Sequence, residues 1–292
     1  MSEVNSKQNF DREAYKRGLI RTLSVFDRYC RDNQLTYMVA YGTCIGAIRH
    51  HGMIPWDDDI DVFMFRRDYD RLVSMRSQLP EGYALVQMGE NGYCAPIPKF
   101  YDTRTTLWEE KSWPCVIGVY LDIFILDECE GDSEEYVALL EQYQKAYLNY
   151  MASQRQWTWA DIWDKAVHLH PLGLIRLLRN KLYDRHRSAQ YLQESKRVYE
   201  RFMQMSGDYL IPLDCPYKAI HPKSMFEGVK IVDFDGMQVP VPSGYDAYLR
   251  QLYRDYMQFP PENKRNSTHS HFYLNMDRGM TLEEVKQELG MK

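Results

Sequence analysis

The stretch "YGTCIGAIRHHGMIPWDDDIDVFMF", Tyr41 to Phe65, decides how this chain is read. Two glycines stand where a tight turn leads into a helix. Four aspartates follow, Asp57, Asp58, Asp59 and Asp61, and the chain then runs directly into an apolar, strand-like segment. Like charges at this density repel, and beside a strand they lose solvation. Something must compensate them.

In a strand over 59–65, side chains two apart share a face, so Asp59 and Asp61 point together while Ile60 and Val62 enter a core. A hard divalent cation is the simplest compensation, because it favours carboxylate oxygens and leaves positions open for phosphate. The alternative is a solvated acidic turn. An EF-hand loop is excluded, since counting from Asp57 the sixth position is Val62 and the twelfth Asp68. A third carboxylate comes from "VYLDIFILD" (119–127), where Asp122 interrupts an apolar run. Buried without a partner it would be costly, so a strand lying beside 59–65 would bring it to the other two. Upstream, Gly42 and Thr43 open a predicted helix whose free N–H groups suit a phosphate, with Arg49 as a further charge. Gly-Thr sixteen residues ahead of D-x-D, with a helix between and a later strand aspartate, is the layout of the nucleotidyltransferase fold.

Around this centre the pattern predicts a helix over 11–34 and a strand over 36–41. A helix follows over 66–79, with short strands at 83–88, 96–101, 104–108 and 116–126. Further strands are expected at 229–232 and 237–241, and a helix at 245–257. Between them, Asp132 to about Gly207 is rich in Tyr, Gln, Leu and Arg and poor in β-branched residues, a helical stretch broken near Pro171. The expected fold is α/β (α+β), a mixed sheet flanked by helices. Residues 1–130 and 208–292 form the catalytic core and 131–207 a helical insertion.

The whole chain bounds the partners. Its 292 residues carry a formal net charge of −5, which offers no basic field to nucleic acid. Six cysteines contain no C-x-x-C pair, so a zinc knuckle is not expected. The polar opening segment has no apolar core of a signal peptide, and no run reaches the length of a membrane span. A cytoplasmic location is expected, with a site at the inner face of the membrane as an extension of it. Residues 171–201 hold eight Lys/Arg against three acids. On charge alone this reads first as a solvated helix face, and secondly as a surface for peripheral membrane contact.

"YGTCIGAIRHHGMIPWDDDID" resembles the signature of the LicD family of phosphotransferases, and it is similar to the catalytic part of fukutin and fukutin-related protein. The likeness continues through "PKFYDTRTT" (98–106), "GVYLDIFILD" (118–127) and residues 226–261. It implies a CDP-activated donor such as CDP-choline, and transfer of the phospho-alcohol group to a sugar hydroxyl of a cell-surface glycan or lipid-linked precursor, with release of CMP. It also implies Mg²⁺ or Mn²⁺ on Asp59, Asp61 and Asp122, and a phosphate beside Gly42 and Thr43. Cys44 and His51 depart from the residues common in the family at those places. Lys99 is a candidate phosphate contact, ahead of Arg104 and Lys111. His269 and His271 read as part of a polar loop rather than as metal ligands, in a tail able to fold over the site. Trp157, Trp159 and Trp163 read as packing residues before sugar-stacking ones.

Overall fold

The structure, a computed structural model, describes residues 11–131, 133–157, 163, 167–168, 171–212, 220–266 and 271–291. Helix α1 (Arg12–Asp32) starts where the Asp11 carboxylate accepts the Ala14 N–H. Its Tyr15, Leu19, Leu23, Phe26 and Cys30, spaced three and four apart, are all buried. Strand β1 (Tyr37–Val39) leads into α2 (Tyr41–His50), and β2 (Asp61–Phe65) into α3 (Arg66–Ser74). After β3 (Tyr83–Val86), β4 (Lys99–Asp102) and β5 (Thr106–Trp108) comes the longest strand, β6 (Tyr120–Cys129).

The main sheet runs β1-β2-β6-β4-β3. Among the described residues only β2 and β6 pair in parallel, in the register Asp61 to Asp122 through Phe65 to Leu126. On its other edge β6 takes β4 along its first residues and β7 (Tyr209–Pro212) along its last. Strand β8 (His221–Pro222) extends β7. Between β6 and β7 lie α4 (Glu134–Gln154), α5 (Pro171–Leu182) and α6 (Ser188–Phe202). Pro171 is the first residue of α5, where its missing N–H and fixed φ cost nothing.

A hairpin follows, β9 (Val229–Phe234) with β10 (Met237–Pro242). Asp235 (φ +47°) and Gly236 (φ +83°) form its two-residue turn, the left-handed pair that such tight hairpins need. Helix α7 (Tyr245–Tyr253) packs behind α2. The chain then returns across the molecule: β11 (Tyr273–Asn275) pairs with β5, and α8 (Leu282–Glu288) covers Trp108 with Val285. A Thr281–Glu284 capping box starts α8.

Several boundaries differ from expectation. Ladder strand β2 starts at Asp61, so Asp59 belongs to the loop ahead of it, although the Ile60 carbonyl already accepts the Asp122 N–H. The helix after β2 ends at Ser74 and continues as a 3₁₀ turn, Arg76–Gln78. Strands β7, β8 and β11 and helix α8 were absent from the sequence reading. They are two to seven residues long, too short for periodicity to register.

Candidate functional site

Register builds the centre of the site. Lys99 of β4 stands opposite Asp122 of β6, and Asp122 opposite Asp61 of β2. Residues opposite each other on neighbouring strands share a face about 5 Å apart, so the three form one row across the sheet. All three are buried. Lys99 Nζ lies 2.8 Å from Asp122 Oδ1 and 3.4 Å from the centre of the Tyr120 ring. Tyr120 in turn donates its hydroxyl to Glu109, just beyond β5.

The loop entering β2 brings the remaining acids. Asp57, Asp58 and Asp59 each place a carboxylate oxygen within 4.8 Å of the others. The start of α2 abuts them. Thr43 Oγ1 accepts the Asp61 N–H at 2.9 Å, which fixes the first residue of β2 to the helix. Gly42 has no side chain for a reason visible in its neighbour: a Cβ there would stand 2.7 Å from Asp57 Oδ2. Tyr41 takes a positive φ of 43°, and its N–H is held by the Tyr248 hydroxyl of α7 at 2.9 Å. Such backbone persists where its surroundings over-determine it. Here the rings of Phe63, Phe124 and Tyr248 surround Tyr41. Helix geometry leaves the amides of Gly42 and Thr43 without intrahelical acceptors, beside the acidic loop.

The charges of this group do not balance. Burial and the Asp59 carboxylate push Asp57 up to about 7, with Asp58 adding to the effect. Asp61 is driven well above the usual carboxylate range by burial, then by Asp59, Asp122 and Asp57, and Lys99 opposes this. Burial raises Asp122 to about 6 against the pull of Lys99. Burial also works against the Lys99 ammonium, but Asp122, Glu109 and Asp61 more than offset it and hold its pKa above the ordinary value. One ammonium among this many carboxylates leaves room for further positive charge. A hard, all-oxygen donor set of this kind fits Mg²⁺ or Mn²⁺.

Candidate residues fall into two groups. Asp61, Asp122 and Lys99 stand in one row with Gly42 and Thr43 close by, and Asp59 acts on both carboxylates electrostatically from the loop. Among the described residues the three acids whose oxygens lie close enough for one ion are Asp57, Asp58 and Asp59, not the expected Asp59, Asp61 and Asp122. Arg49 stands apart: it sits at the far end of α2, where its guanidinium donates to the Tyr256 and Gln258 carbonyls and lies 4.7 Å over Phe259. It fastens the 256–259 loop. Arg104 pairs with Asp102. His269 and Trp159 lie outside the described residues. Trp163 is exposed and Trp157 half-buried.

Three further groups face the acids. His271, carried back by β11, places Nδ1 3.8 Å from Asp58 Oδ2 and packs edge-on against Tyr15 of α1 at 4.9 Å. The Tyr15 hydroxyl is pushed up by burial and then by Asp58, Glu109, Asp59 and Asp122, which places it in the same field. Tyr120 was within reach of sequence reasoning, because it lies two residues from Asp122 on one strand face. Glu109 gave no local signal, and His271 was legible only as part of a polar tail able to fold over the site. A pairing 165 residues apart, Trp108 with Tyr273, brings them in.

The chain has relatives among known proteins. Residues 34–125 match the family model described as "LicD/FKTN/FKRP, nucleotidyltransferase domain". The chain is similar to the lipopolysaccharide cholinephosphotransferase LicD of Haemophilus influenzae, 29% identical over 258 residues, which covers 86% of this chain and 92% of that protein. A shorter likeness is found to the uncharacterised protein RP689 of Rickettsia prowazekii, 37% identical over 54 residues, 18% of this chain and 20% of the relative. The matched segment holds the acidic loop, the α2 start, Lys99 and Asp122, and it is through this segment that the chain matches the LicD family.

Proposed function

We propose that this protein transfers a phospho-alcohol group, of the phosphocholine kind, from a CDP-activated donor to a sugar hydroxyl of a cell-surface glycan or its precursor, releasing CMP. The family match supports a transferase, and the relative matched along most of both chains is named for cholinephosphate transfer to lipopolysaccharide. The observation that carries the reading is the buried Lys99–Asp122–Asp61 row, set against the Asp57–Asp59 loop and the start of α2.

In this reading Asp59, Asp61 and Asp122 would hold Mg²⁺ or Mn²⁺, with Asp57 and Asp58 alongside. When bound, such an ion offsets charge on phosphate oxygens. The chain supplies the rest. The Gly42 and Thr43 amides orient a phosphate at the helix start. Lys99 holds Asp122 Oδ1 in place and keeps one positive charge in the buried row. The sugar hydroxyl forms the new O–P bond, the P–O bond to CMP breaks, and the hydroxyl proton passes to a carboxylate of the site. Positioning and fixed charge account for most of the acceleration in such transfers.

The test is a donor panel of CDP-choline, CDP-ethanolamine, CDP-ribitol and CDP-glycerol, with Mg²⁺ or Mn²⁺ and a glycan acceptor. CMP release that Asp61→Asn lowers by several orders of magnitude is expected. Release of the phospho-alcohol, with CMP joined to the acceptor, would mean nucleotidyl transfer instead and overturn the proposal.

A further inference from the structure

Helix α5 shows two unlike faces. Leu177 and Asn180 are buried, and Asn180 donates its side-chain amide to the Ala152 carbonyl of α4. On the outer side Leu172 is 82% exposed, Ile175 62% and Leu182 71%. Positions 172, 175, 179 and 182 recur at three and four, so they make one stripe, with exposed Arg179 at the remaining place. Tyr183 continues it, and Trp163 and Val167, just ahead in sequence, are exposed as well. Singly, exposed apolar residues need no explanation. A row of them along one helix marks an interaction surface.

Charge identifies the occupant. The segment 171–201 has eight Lys/Arg and three acids within a chain of net charge −5. A second copy meeting this face by two-fold symmetry would set one positive segment against another. An anionic bilayer complements both properties: apolar side chains enter the boundary between headgroups and acyl chains, and guanidinium groups meet lipid phosphates. A solvated helix face would account for the charge but not for the leucine–isoleucine stripe. We propose that the outer face of α5 docks on an anionic lipid surface, with Leu172, Ile175 and Leu182 inserted and Arg179 and Arg185 at the phosphates. This holds whatever group the enzyme transfers.

Flotation of the full chain with vesicles tests it. Binding is expected to vesicles of phosphatidylcholine with phosphatidylglycerol, weakening as salt rises, and much less to phosphatidylcholine alone. Ile175→Glu/Leu182→Glu should lower the affinity about tenfold or more, from the loss of two buried apolar side chains. A thermal melt checks that the variant folds, and Leu172→Ser/Ile175→Ser serves if it does not. No binding to the anionic vesicles, or binding indifferent to these substitutions, would overturn the proposal. So would a wild-type dimer in sedimentation velocity that the same substitutions dissolve, because the face would then belong to a second copy.

Discussion

Lys99 and Asp122 are a buried ion pair, each about nine-tenths covered, and each is the other's immediate neighbour across the sheet. Removing one member strands the other: Lys99→Met leaves Asp122 facing Asp61 with no cation, and breaking such a pair costs about 3–5 kcal/mol. Lys99→Met/Asp122→Asn removes both charges and is expected to recover most of that stability in urea unfolding, yet to recover no turnover. A double variant as unstable as Lys99→Met would show that the ammonium acts through packing on Tyr120 and not through its charge. Gly42 separates the same two quantities in the opposite sense. Alanine there improves helix propensity by about 1 kcal/mol, but its Cβ would meet Asp57 Oδ2 at 2.7 Å. Gly42→Ala is therefore expected to keep or raise the melting temperature while lowering turnover at least tenfold, as the acidic loop is pushed out of place. Unchanged turnover would mean that Asp57 has no part in placing the loop.

Elements behind the site transmit strain to it. His221 of β8 is wholly buried between Phe226 and Tyr248, its Nδ1 2.7 Å from Gln251 Oε1 and its Nε2 without a hydrogen-bond partner among the described residues. Tyr248 is the residue that holds the Tyr41 N–H at the start of α2. Burial lowers the His221 pKa below its ordinary 6.5, and the bond to Gln251 opposes this. The unfolded chain therefore binds a proton here at a higher pH than the folded one. Stability is present in full above about 6.5 and falls as pH drops through that value. Between about pH 7.5 and about pH 5.5 the wild type should lose more thermal stability than His221→Gln, measured by the slope of melting temperature against pH. Equal slopes would remove His221 from the account. This element also shows where the sequence was legible and where it was not. Apolar periodicity announced α1 and an apolar run announced β6, because each buries a continuous face, whereas composition alone announced the helices between β6 and β7. The two-residue β8 and three-residue β11 have no such face, and distant pairing alone makes them. Asp122 could be placed beside the acidic loop because an aspartate inside an apolar strand demands a partner. Glu109 sits just past the end of β5, where a charged residue needs no partner at all, and His271 was legible only as part of a polar tail whose landing place a distant pairing decides. Arg49 illustrates the converse: its charge was visible, but its commitment to the 256–259 carbonyls depended on a loop two hundred residues away.

At the scale of the whole molecule the acidic site is a cost to folding that a ligand removes. Asp57, Asp61 and Asp122 are all held above the normal carboxylate range by burial and by neighbouring carboxylates, Asp59 acting on all three, which means the folded chain carries repulsion that the unfolded chain does not. A cation that binds only the folded state stabilises it by mass action, about 2.7 kcal/mol at a hundredfold excess over its dissociation constant. For a chain of this length that corresponds to a rise of roughly 4–5 °C in melting temperature. Asp61→Asn should therefore act in two opposite directions. Without divalent cations it is expected to melt above the wild type, because one repelling charge is gone from the row. With Mg²⁺ or Mn²⁺ it should gain little, so the order of the two proteins reverses. The crossing is specific to a metal site: a merely structural aspartate would lower the melting temperature under both conditions, and a solvated acidic turn would change it under neither. Scanning calorimetry of the two proteins, with and without chelator, reads all three outcomes.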